Sequence, residues 1–115
     1  MLLLASARTY RVWTYRVSHD QLLIRSSRNS EHSLNSDLMF DGVMYMALPS
    51  LMHGIEVYKE PRESARRSIP SFRELDFTFR LRSSNQDYWV AAGGLRVEEN
   101  ELGLWETHLQ WEPIT

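Results

Sequence analysis

Along positions 75–82 every odd residue is apolar and every even one polar: Leu75, Phe77, Phe79 and Leu81 alternate with Asp76, Thr78, Arg80 and Arg82. A period of two is that of a strand with one dry face and one wet face. Strands are also expected at 10–17, 22–26, 38–40, 43–48, 55–59, 87–92 and 102–111, where β-branched, aromatic and aliphatic residues concentrate. Tyr10, Val12, Trp13, Tyr15 and Val17 put bulk on both faces of the first of these, which predicts a central position. The break at Ser18-His19-Asp20-Gln21 predicts a hairpin with the next strand.

Turn chemistry divides the rest. Asp41-Gly42 predicts a tight hairpin inside the most apolar block, 38–51, and Pro49 ends its second strand. Positions 49–54 read as a connector with room for one helical turn, and Ser83-Ser84-Asn85-Gln86 and Glu98-Glu99-Asn100-Glu101 as turns. Gly93-Gly94 fits either a two-residue hairpin or a bulge within one long strand, and the length of the last strand favours the bulge. Positions 60–73, with Pro61, Pro70 and four arginines, read as a long loop. Positions 1–9 read as a loosely held arm, since Met1-Leu2-Leu3-Leu4 lacks a basic leader and is too short an apolar run for a signal peptide.

Seven or eight short strands and at most one helical turn predict a single all-β, or β-dominated, domain: an antiparallel sandwich or flattened barrel. The expected core is Val12, Trp13, Leu23, Phe40, Val43, Tyr45, Ile55, Val57, Phe77, Phe79, Leu81, Val90, Val97, Leu104 and Leu109.

Composition narrows the chemistry. The 115 residues include no cysteine, which excludes disulfides, thiolate metal sites and a cysteine nucleophile. With 43% hydrophobic residues and no apolar run near the length of a membrane span, a soluble cytoplasmic protein is expected. Twelve of the 13 basic residues are arginine, which suggests a GC-rich, bacterial genome. The net charge of −2 is unevenly spread: positions 83–115 hold six acidic residues and only Arg96. An acidic C-terminal quarter is a docking face for something basic.

No motif assigns a reaction. His19, His32, His53 and His108 lack metal-ligand spacing, so no metal and no cofactor is expected. His19-Asp20 has the residue types of an acid–base pair but sits in a turn, where both bond local backbone. Neither a nucleophile elbow nor a phosphate loop is present. Tyr10-Arg11-Val12-Trp13-Thr14-Tyr15-Arg16 interleaves rings and guanidiniums as single-strand-binding sheets do, while the overall acidity works against nucleic acid as a partner.

The expectation is therefore a non-catalytic protein-interaction module, of an accessory or toxin-neutralising type, binding another protein or its own copy as a homodimer. Its patch would be Glu98, Glu99 and Glu101 with the loop arginines Arg62, Arg66 and Arg67. The alternative is a small-ligand-binding barrel or enzyme, its interior pocket lined by Trp13, Tyr45, Tyr88, Trp105 and His108. A single-stranded nucleic-acid binder ranks third.

Overall fold

A computed structural model describes residues 1–61 and 77–103. Among the described residues eight strands form one antiparallel sheet: β1 (Leu2–Arg16), β2 (Gln21–Ser26), β3 (Asn35–Asp41), β4 (Tyr45–Ala47), β5 (Leu51–Glu60), β6 (Phe77–Ser83), β7 (Gln86–Ala92) and β8 (Gly94–Asn100). The all-β expectation holds, and the one helical piece described is a single tight turn, Val17–His19.

The strand order is β4-β7-β6-β5-β1-β2-β3-β8. Its two ends belong together. β3 and β4 are two halves of one bent run, as are β7 and β8, and the runs pair along their length. Asn35 to Asp41 lies opposite Asn100 to Gly94, and Tyr45 to Ala47 opposite Ala91 to Trp89. Backbone bonds bridge the bend, from Met44 N–H to Ala91 O and from Gly93 N–H to Asp41 O, both 2.8 Å. The sheet thus closes on itself as a barrel.

This closure corrects the reading of Asp41-Gly42 as a hairpin. β3 and β4 do not pair with each other. Gly42, at φ +63°, turns the chain within one run, and Val43 N–H donates to Asp20 O rather than across a hairpin. Gly93 likewise marks a bend and not a hairpin, because β7 pairs with β6 and β4 while β8 pairs with β3. The turn at Ser84-Asn85 is as expected: both residues have positive φ, the two-residue form that matches strand twist.

Leu2 to Thr9 is strand, the start of β1, and not a loose arm. Leu2 to Ser6 pairs with Tyr58 to Ile55, so the second half of β5 has its ladder partner there. The connector at 49–54 shrinks, because β5 begins at Leu51. Within it Gly54 (φ +74°) lies alone opposite Ala7 and Arg8, a bulge in β1. Glu98 and Glu99 lie on β8 and not in a turn. The expected strand at 102–111 falls outside the described residues from 104 onward.

The barrel interior is filled. Tyr10, Leu22, Ile24, Leu38, Phe40, Val57, Leu81 and Val90 are fully buried there. Phe40 of β3 meets Phe79 of β6 edge-on across it, ring centroids 5.4 Å apart. The Tyr10 hydroxyl is satisfied by the Ser36 hydroxyl at 2.8 Å. Leu23 and Met39 point the other way and form a second buried cluster under Trp13. β2 is therefore buried on both faces, which is why its sequence is a continuous apolar triplet rather than an alternation.

Two expected core residues are exposed. Val97 (49% exposed) faces Leu38 from β8, the last strand of the order, and so lacks a described neighbour on its far side. Phe77 (37% exposed) opens β6 and stacks instead under the Lys59 ammonium, 4.0 Å from the ring centre. Trp13 and Tyr45 are half-buried, and Leu104 and Leu109 lie outside the described residues.

On the outer face of β5–β7, Arg80 bonds Glu60 at 2.7 Å and Arg82 bonds Asp87 at 2.9 Å. Burial alone would raise Asp87, but hydrogen bonds from Arg82 and Arg80 outweigh it and hold the carboxyl below its ordinary value of 3.8. A depressed folded-state value stabilises above the unfolded value and is lost as pH falls through the folded one. Denaturant unfolding of wild type is expected to weaken on acidification below about pH 4, and Asp87→Asn to lose less over that interval.

Candidate functional site

β2 and β3 set Arg25 directly opposite Asp37. The guanidinium grips the carboxylate with two bonds, Nε to Oδ1 at 2.7 Å and Nη2 to Oδ2 at 2.9 Å. Both side chains are buried, at 1% and 0% exposure. Charges so far from water persist only when paired and hydrogen-bonded, and this pair is. Asn100 Nδ2 donates to Asp37 Oδ2 at 2.8 Å, and Arg25 Nη1 donates to Gly103 O at 3.3 Å. The Trp13 ring lies 5.5 Å from the guanidinium. Asn35 adds bonds to Asn100 Oδ1 and Leu102 O, both 2.9 Å. These contacts clamp the end of β8 against β3.

Beside the pair lies a cleft of about 430 Å³ between β1 and the loop that joins β2 to β3. Its position follows from the β1 bulge. There Arg8 reaches across to the loop, with Nε donating to Ser26 Oγ and Nη2 to the carbonyls of Ser26 and Leu34, at 2.8 to 3.0 Å. The loop holds itself as well: Asn29 Oδ1 accepts from Glu31 and His32 N–H, and Asn35 Oδ1 accepts from Arg28 N–H, all within 2.9 Å. Arg11 and Arg28 line the same cleft and are exposed.

The expected patch is only partly assembled. Glu98 is half-buried and accepts from Asn100 Nδ2 at 2.7 Å. Glu99 and Glu101 are exposed, and alternation along β8 turns Glu98 and Glu99 to opposite faces. Arg62, Arg66 and Arg67 lie outside the described residues, as do Trp105 and His108.

The described members of the expected pocket, Trp13, Tyr45 and Tyr88, do not converge. Trp13 packs on Leu23 and Met39, away from the interior. Tyr88 packs partly on the core, and its hydroxyl donates to Gln86 at 2.9 Å. Tyr45 sits on β4 opposite Ala91.

His19 and His53 serve local contacts. His19 Nδ1 meets Ser18 Oγ at 2.8 Å, His53 Nδ1 meets Thr9 Oγ1 at 3.2 Å, and Asp20 accepts from the Tyr15 hydroxyl at 3.2 Å. Asp20 and burial together raise the Tyr15 hydroxyl above its ordinary value, burial being the larger cause. Asp41 is held by Gln21 Nε2 at 3.0 Å and Arg96 Nε at 3.3 Å. Among the described residues no three metal-ligating side chains gather, and no helix is long and apolar enough to cross a membrane.

The arginine cleft was the feature hidden in the sequence. The interleaved rings and guanidiniums of 10–16 point toward it, but Arg8 and Arg28 enter only through the bulge and the loop. Comparison with known protein families, curated proteins and solved structures finds no match to this chain.

Proposed function

We propose that this chain is a non-catalytic cytoplasmic module that acts by binding another protein, of the accessory or toxin-neutralising kind. The filled barrel carries the reading. Phe40 and Phe79 touch across an interior packed with aliphatic side chains. A barrel interior filled by side chains leaves the outer surface for recognition. The acidic end strand supports the same reading, since β8 and the residue after it expose Glu99 and Glu101 with Glu98 close by. Such a strand attracts a basic protein face and orients it on approach.

The test is capture from the native cytosol with the full chain as bait. Glu99→Lys with Glu101→Lys should release a stoichiometric partner, lowering its affinity about tenfold or more, while the melting temperature stays within about 2 °C. Undiminished capture by the double variant would overturn the role of this strand. Absence of any stoichiometric partner at low and at physiological salt would overturn the reading as a whole.

A further inference from the structure

Seven of the described arginines fall into two groups, and Arg16, which has contacts of its own, belongs to neither. Arg25, Arg80, Arg82 and Arg96 each pair with a carboxylate, on Asp37, Glu60, Asp87 and Asp41. Among the described residues Arg8, Arg11 and Arg28 pair with none, and all three line the cleft between β1 and the β2–β3 loop. Arg25 is neutralised by Asp37, so the three arginines stand against Glu31 alone. Among the described residues of a chain of net charge −2 there is thus a concentrated positive cleft.

Two further observations give this surplus a purpose. Arg11 lies directly opposite Arg25 across the β1–β2 ladder, and like charges facing each other on neighbouring strands destabilise a sheet. Arg25 answers with Asp37, whereas Arg11 has no carboxylate partner among the described residues and stays exposed. The cleft is also built before any ligand arrives. Arg8 is fixed by four acceptors at the end of β2 and in the loop through Nε and Nη2, which leaves Nη1 for another partner. Asn29 and Asn35 hold the loop that carries Arg28 and His32. Prefixed donors lower the ordering cost of binding.

We propose that this cleft binds a small phosphorylated ligand of nucleotide size. Guanidinium forks match phosphate oxygens with paired, charge-assisted bonds. A volume of about 430 Å³ suits one nucleotide rather than a long strand, and Trp13 gives the wall an apolar surface. A strand of nucleic acid would need a basic track, whereas Arg8, Arg11 and Arg28, which have no carboxylate partner among the described residues, gather in a single cleft. The inference is independent of the protein-binding reading and uses none of its residues.

The test is calorimetric titration of the full chain with ADP, pyrophosphate, adenosine and a dT twelve-mer. ADP and pyrophosphate should bind saturably and adenosine should not. Arg11→Gln with Arg28→Gln should weaken ADP about tenfold or more. The same variant should keep the melting temperature within about 2 °C, because both side chains are exposed. Absent ADP and pyrophosphate binding would overturn the proposal, as would equal binding by the double variant or by adenosine. Saturable binding of the twelve-mer without ADP would overturn it in favour of a nucleic-acid strand. Glu99→Lys with Glu101→Lys should leave ADP affinity unchanged, which separates this site from the protein-binding surface.

Discussion

Asp37→Ala is expected to cost about 3–5 kcal/mol of stability, because it leaves the Arg25 guanidinium buried without its counter-charge. For a domain of this size that lowers the melting temperature by roughly 10–20 °C. The loss should exceed that of any surface ion pair here, such as Arg96–Asp41, whose side chains are 48% and 40% exposed. Replacing both partners with apolar groups of similar volume, Arg25→Met with Asp37→Leu, should recover most of the loss, since neither charge then has to be desolvated. Asn100 retains Glu98 as an acceptor in that variant. Urea unfolding of the three proteins measures both effects. A single variant within about 1 kcal/mol of wild type would show that the pair is solvated or dispensable.

Phe40→Ala should be of similar size, about 3–5 kcal/mol, from lost burial and the cavity left behind. Phe40 has no exposed surface, and its ring meets Phe79 at 69° with 5.4 Å between centroids. A double-mutant cycle of Phe40→Leu and Phe79→Leu isolates the ring–ring part, expected at about 0.5–1.5 kcal/mol. A coupling near zero would mean that the two walls of the barrel are held apart by other side chains.

The strands whose alternation is plain were legible from residue order alone. Phe79 and Leu81 point inward from β6 as their spacing predicts, and the two-residue turn at Ser84-Asn85 follows from its composition. The limits appear where local pattern and distant partner disagree. Asn35, Ser36 and Asp37 lie outside every expected strand, yet they are buried strand. Each is satisfied by a group far away in sequence: Asn35 by Asn100, Ser36 by Tyr10 and Asp37 by Arg25. A polar residue inside a sheet is recognisable only once its partner's register is known.

Asp41-Gly42 misleads for a related reason. The dipeptide does turn the chain, but whether a turn reverses a strand or bends it depends on which strands lie alongside. Here β7 and β8 supply those partners, and the chain bends. The first nine residues carry no alternation strong enough to announce a strand. Their order comes from β5, whose exposed ladder they complete. The cleft follows the same rule: its arginines are common surface residues in the sequence and become a site only because a bulge and a loop bring them together.

The meeting of the two bent runs also governs how this chain reaches its native state. Asn35 and Asn100, joined by a side-chain bond, stand 65 residues apart. Pairings of that span require a large loop to be closed before any contact repays it, so folding should be slow, in the range of milliseconds to seconds. The β6–β7 hairpin, with its short turn, can form early, whereas the junction of β3 with β8 waits for most of the chain. Until it shuts, an unfinished barrel presents two open strand edges. At high concentration during refolding those edges can find another molecule's, and the same ladder then joins two chains as an exchanged dimer.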